Sequence, residues 1–175
     1  GIQDENMQKV VDEVRAKGAQ VVVLLSHNGM DVDLKMASRV RGIDAIFGGH
    51  THDGVPVAVP VANPGGKTLV TNAGSNSKFL GLMDFDVKGG KVADFRYRLL
   101  PIFASQLKAD AEMDALITKV RAPYEAKLAE KLAVTDGLLY RRGNFNGSWD
   151  QLICDALMDV QGADMAFSPG FRWGT

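Results

Sequence analysis

The chain has 175 residues, a formal net charge of −1 and a 46% hydrophobic share. That length suits one domain or one and a fraction; near-neutral charge argues against a general nucleic-acid or membrane-surface binder, and the apolar share argues against disorder. No apolar run approaches the roughly 20 residues that span a bilayer, and the single Cys154 rules out an internal disulfide.

In chain order, Met7, Val10, Val11 and Val14 recur at helical spacing and predict a helix over 4–17, stopped by Gly18. The apolar run 21–26 predicts a buried strand, followed by a His27-Asn28-Gly29 turn. A second helix is expected over 31–41, with Leu34, Ala37 and Val40 facing inward and Gly42 ending it. Residues 43–47 predict another buried strand, leading into Gly48-Gly49-His50-Thr51-His52-Asp53-Gly54. Helix, strand, helix, strand within fifty residues is the pattern of a parallel sheet covered by helices. Right-handed crossovers would set the two strands side by side and bring His27 within reach of His50 and His52.

Pro56 and Pro60 bar a central strand over 55–61. Residues 68–72, 79–87 and 92–99 alternate as strands, with Gly89-Gly90 as a hairpin turn, so the sheet is expected to continue as antiparallel or mixed. The expected result is a layered α/β/β-type domain over 1–102, with Asn72–Asn76 a loop able to close on the histidines. Residues 107–131 predict a long connecting helix, kinked or split at Pro123, with an apolar stripe of Leu107, Met113, Leu116, Ile117, Val120, Tyr124 and Leu128. The connector is placed at 103–131 and a further domain at 132–175. That domain would hold strands at 132–140 and 163–167 and a helix from Ser148 to Val160, with Ser148 and Gln151 as a capping box.

The chain has three histidines, and each lies just past the C-terminal end of a predicted strand. Ligands bind at that end of open α/β sheets, and neutral imidazole is the commonest transition-metal ligand. The joint placement therefore predicts a metal site, with the two glycines letting the backbone leave its strand through conformations a side chain forbids. Asp53 is read as an outer partner orienting an imidazole or as a local turn, and Asn28 as fixing the His27 loop. The chain opens Gly1-Ile2-Gln3-Asp4 straight into a helix pattern and stops at Thr175 without a terminating element. It is expected to be a piece of a longer protein, with any targeting segment outside it.

Gly-Gly-His-Thr-His with an upstream His-Asn-Gly resembles the calcineurin-like metallophosphoesterases. The resemblance implies that His27 and His50 bind one metal and His52 a second, the remaining ligands coming from upstream Asp-x-His, Gly-Asp and Gly-Asn-His motifs that this chain lacks. Leu152-Ile153-Cys154-Asp155-Ala156 resembles the 5′-nucleotidase branch, in which a long helix joins the metal domain to a substrate domain. Within the branch, residues 26–33, 48–55, 140–147 and 167–175 are most similar to the thiosulfohydrolases of bacterial sulfur oxidation.

That resemblance implies a pair of Mn(II) ions, for which zinc or another divalent metal is an open alternative. It also implies a periplasmic location and a substrate carried on a SoxYZ-like protein: a cysteine S-thiosulfonate from which sulfate is released. Neither a nucleic-acid partner nor membrane insertion is implied. Nucleotidases carry Asn-Gly-Gly-Gly-x-Arg where this chain has Ser168-Pro169-Gly170-Phe171-Arg172. Arg172 keeps an anion-binding reading, since its donor fork suits sulfonate or phosphate, and Arg141 and Arg142 are further substrate-binding candidates. The alternatives are a periplasmic 5′-nucleotidase or phosphoesterase and, for residues 1–175 alone, a non-catalytic carrier-binding module.

Overall fold

The computed structural model describes residues 3–141 and 147–168. Contacts divide the chain into two compact units, with the division between Phe103 and Ala104. In the first unit, α1 (Asp4–Ala16), β1 (Val23–Leu25), α2 (Met30–Arg39) and β2 (Ala45–Gly48) alternate as expected. β3 (Val59–Asn63), β4 (Gly66–Asn72), β5 (Phe79–Lys88) and β6 (Lys91–Pro101) follow.

The main sheet has the order β1-β2-β4-β3. β1 and β4 flank β2 in parallel, and β3 runs antiparallel on β4. The run 55–61 does enter a strand at its end, but β3 lies at the sheet's edge, the place where Pro60 is tolerated. The 79–99 hairpin departs from expectation. It makes its own two-stranded sheet, because both sides of β4 are already taken by β2 and β3. Gly89 and Gly90 turn it with φ of +57° and +76°, the left-handed pair that suits a two-residue hairpin.

These pieces stack in layers. On one face of the sheet, Val11 of α1 and Met36 and Ala37 of α2 meet Val40, Ile43, Ile46 of β2 and Val70 of β4. On the other face Ala45, Ala58 and Leu69 are covered by Met83, Phe85, Phe95 and Tyr97 of the hairpin. Below the sheet, Arg15 ties α1 to the start of β2: its guanidinium pairs with Asp44 and donates to the carbonyls of Ala19, Gln20 and Gly42. Asp44 in turn accepts the Val22 N–H at 2.7 Å. β1 is less buried than its apolar sequence predicts: it is an edge strand, and Leu25 is 78% exposed.

The second unit is sparser. α3 (Ala111–Arg121) starts where Asp110 caps it, accepting the Met113 N–H at 2.9 Å. The expected long helix is split as Pro123 demands, and a turn at 122–124 precedes α4 (Glu125–Leu128). The apolar stripe from Leu107 to Leu128 is exposed. The strands expected at 132–140 and 163–167 do not form, because no strand lies beside either to complete its hydrogen bonds among the described residues. α5 (Ser148–Gln161) does form, but without the capping box: the Ser148 hydroxyl accepts the Tyr140 N–H instead. No helix among the described residues is long and apolar enough to cross a membrane.

Ile46 has no exposed surface and sits at the centre of the helix-facing core. Ile46→Ala is expected to cost about 2–5 kcal/mol, read as a lower urea midpoint of the first unit's unfolding transition.

Candidate metal centre

β1 and β2 pair in parallel with Leu25 opposite Phe47, and the Ser26 N–H donates to the Phe47 carbonyl at 3.0 Å. Both chains therefore leave the sheet at one level, carrying His27 from β1 and Gly48-Gly49-His50 from β2. The His27 and His50 rings meet edge to face, with centroids 5.3 Å apart and planes at 71°. Both residues are exposed, so the pair faces solvent at the sheet rim.

His50 and His52 both have left-handed backbones, with φ of +73° and +60°. That conformation is uncommon outside glycine and collects at functional sites. The reason for the two preceding glycines is therefore different from the expected one. Neither Gly48 nor Gly49 has positive φ. They are needed for close approach. A Cβ on Gly48 would lie 2.6 Å from Asp33 Oδ2, and one on Gly49 would lie 3.1 Å from His27 Nδ1.

Of the expected trio, His27 and His50 are brought into ring contact. No group of three or more His, Cys, Asp or Glu side chains able to hold a metal occurs among the described residues. Two left-handed residues flank Thr51, so the chain turns between His50 and His52. The imidazole donors present are of a kind that suits manganese, zinc or a similar divalent ion, but they are fewer than a complete coordination shell needs.

The loop is held from several sides. The Met30 N–H donates to Thr51 Oγ1 at 3.1 Å, and the Thr51 hydroxyl donates to Asp53 Oδ2 at 2.5 Å. Asp53 thus holds the turn through Thr51, and its carbonyl accepts the Gly74 N–H at 2.7 Å. Asn72 Nδ2 reaches the Gly49 carbonyl at 3.4 Å, and Gly54 bridges to Ala73. So the 72–76 loop does lie against the histidine loop. A cavity of about 130 Å³ opens beside it, lined by Gly48, Asn72 and Tyr97 among others.

Two residues of this neighbourhood were given no role by the sequence reading, Asp33 and Thr51, and Asn72 was placed only as part of the neighbouring loop. Asp33 had a signal. It shares the helical face of Met36, Ala37 and Val40, and a carboxylate on a core face is itself unusual. It is fully buried; Ser26 donates to its Oδ1 at 2.5 Å, and its Oδ2 has no hydrogen-bond partner. Burial pushes its carboxyl above the ordinary 3.8, against the bonds from Ser26 and Asn28 and with the help of nearby Asp31.

In the second unit, Arg141 is engaged internally. Its guanidinium donates to the buried Asp150 at 3.0 Å and reaches Ser168 at 3.5 Å. That partner offsets much of the charge it would offer an anion. Arg142 and Arg172 lie outside the described residues.

No family model matches the chain. Over its whole length it is 37% identical to the sulfate thiohydrolase SoxB of Thermus thermophilus, with a TM-score of 0.81, and covers 32% of that chain. Over 93% of its length it is 27% identical to a 5′-nucleotidase precursor, also from Thermus thermophilus, with a TM-score of 0.79, covering 36% of that chain. Rat 5′-nucleotidase is 27% identical over 87% of the chain. The chain belongs to the 5′-nucleotidase branch of the metallophosphoesterases. It spans about a third of the length of these branch relatives, from 30% to 36%.

Two outcomes follow from the packing around Gly48. Gly48→Ala forces a methyl group onto a buried carboxylate and the Thr71 carbonyl, and is expected to cost about 1–3 kcal/mol in thermal or urea unfolding. An acid with a raised folded-state pKa keeps its proton longer folded than unfolded. Its favourable contribution is complete below 3.8 and is lost as pH rises through the raised value. Asp33→Asn cannot ionise, so between about pH 4 and 7 its unfolding midpoint should fall less with pH than wild type does. Parallel curves would show that burial leaves Asp33 unshifted.

Proposed function

We propose that the protein carrying this chain is a metal-dependent hydrolase of the thiosulfohydrolase type. Its substrate is the cysteine S-thiosulfonate of a SoxYZ-like carrier protein, hydrolysed to sulfate and a persulfide left on the carrier. The observation that carries the hydrolase reading is the edge-to-face pair of His27 and His50 at the rim of the sheet. The choice of substrate is supported by the 37% identity to SoxB over the whole chain, against 27% to the 5′-nucleotidase precursor.

In this reading His27 and His50 hold one divalent ion and His52 a second, a Mn(II) pair in the first instance. Such a pair, when bound, acidifies a water and offsets charge on the oxygens of the group being transferred. The chain's own residues do the rest. Ser26 holds the His27 loop on Asp33 and accepts the Asn28 N–H, and Thr51 with Asp53 holds the turn between His50 and His52. Arg172 is assigned to the anionic arm of the substrate. The periplasmic location belongs to the same reading.

A second reading, a 5′-nucleotidase, is favoured by the names of the curated relatives, rat 5′-nucleotidase among them. The two are separated by assaying the full-length, Mn(II)-loaded protein on thiosulfonate-bearing carrier and on AMP. Sulfate release without AMP hydrolysis is expected; AMP hydrolysis with the carrier left intact would overturn the first reading. His50→Ala should lower the rate by more than the roughly 10–100-fold typical of losing an outer partner. Residues 1–175 alone should bind Mn(II) weakly and turn nothing over, and calorimetry showing tight binding of two equivalents would contradict this.

A further inference from the structure

We propose that Asp33 is the positioning residue that sets His27 against His50, without being a metal ligand itself. The proposal rests on reading that histidine pair as a metal centre and adds the group that assembles it.

The geometry has two sides. Toward β1, one carboxylate oxygen accepts the Ser26 hydroxyl at 2.5 Å, and that hydroxyl in turn accepts the Asn28 backbone N–H at 3.3 Å. The residues before and after His27 are thus tied to Asp33 through the Ser26 hydroxyl. Toward β2, the other oxygen lies against Gly48, so close that a Cβ there would stand 2.6 Å from it. The next residue, Gly49, brings its Cα against the His27 imidazole, and His50 follows. Asp33 therefore sits where the two histidine-bearing segments cross.

Its burial argues for this use. A carboxylate with no exposed surface is costly unless its bonds are needed. Asp33 has one such oxygen bonded and one without a hydrogen-bond partner. A residue serving only to fill the core would be apolar, like Met36 and Ala37 beside it on the same face. An acceptor is retained here because the Ser26 hydroxyl, half-buried beside His27, would otherwise be left without it.

The test uses the full-length protein and the variants Asp33→Ala, Ser26→Ala and Asp33→Asn; the last keeps an acceptor oxygen. In the metal-free protein, the nuclear Overhauser contact between the His27 and His50 rings reads the positioning directly. It should weaken in both Ala variants and persist in Asp33→Asn. Calorimetry with Mn(II) alone should show about tenfold or greater loss of affinity in the Ala variants, recovered with Asn. An unchanged ring contact in a folded Ala variant overturns the proposal, and so does failure of Asp33→Asn to restore it. Should Asp33→Ala not fold, Ser26→Ala and Asp33→Asn decide the question by the same contact. If wild type binds no Mn(II) while the ring contact follows the pattern above, the metal reading fails and the positioning role stands.

Discussion

The parallel pairing of β1 with β2 is the constraint from which the rest follows. With Leu25 opposite Phe47, the two strands end side by side, and each ends in a segment that begins with a small or polar residue and carries a histidine. A shift of one residue in that register would turn the side chains to opposite faces of the sheet and separate the rings. The register is held at both ends. Arg15 and Asp44 lock the entry to the strands, while the Asp33–Ser26 bond and the Asn28 N–H on the same hydroxyl lock the exit.

The site is assembled by contacts that exclude side chains as much as by those that supply them. Gly48 and Gly49 let a buried carboxylate and an imidazole approach the backbone, and Gly29, at φ +99°, lies against Thr51 from the opposite loop. The bulk removed at these positions allows two loops from different strands to pack as one. The left-handed backbones of His50 and His52 are the complement, local strain held in place by the surrounding bonds.

The two units differ in character. The first has a layered core with helices on one face and a hairpin on the other. In the second, α3 has no buried residue, and the apolar positions along α3 and α4 are exposed. Arg141 and Asp150 form its most buried polar contact among the described residues. The chain's likeness to its branch relatives runs across both units and spans about a third of the relatives' length.

Periodicity was enough to place α1, α2, β2, the Gly89-Gly90 hairpin and the break at Pro123, because each is dictated by neighbours within a few residues. The same local logic put all three histidines at the C-terminal ends of strands. It failed wherever the outcome depends on what lies across space. Residues 132–140 have strand-like composition but no strand to pair with, β5 and β6 form a separate sheet because β4 was already flanked, and β1 lies at an edge. The glycines at 48 and 49 were legible as special, but their purpose was not, since the atoms they make room for come from α2 and β1. Asp33 was visible as a carboxylate on an apolar helical face. That it joins both histidine loops emerges only once the strands are paired, because hydrogen bonds and close packing between distant segments leave no periodic trace in a sequence.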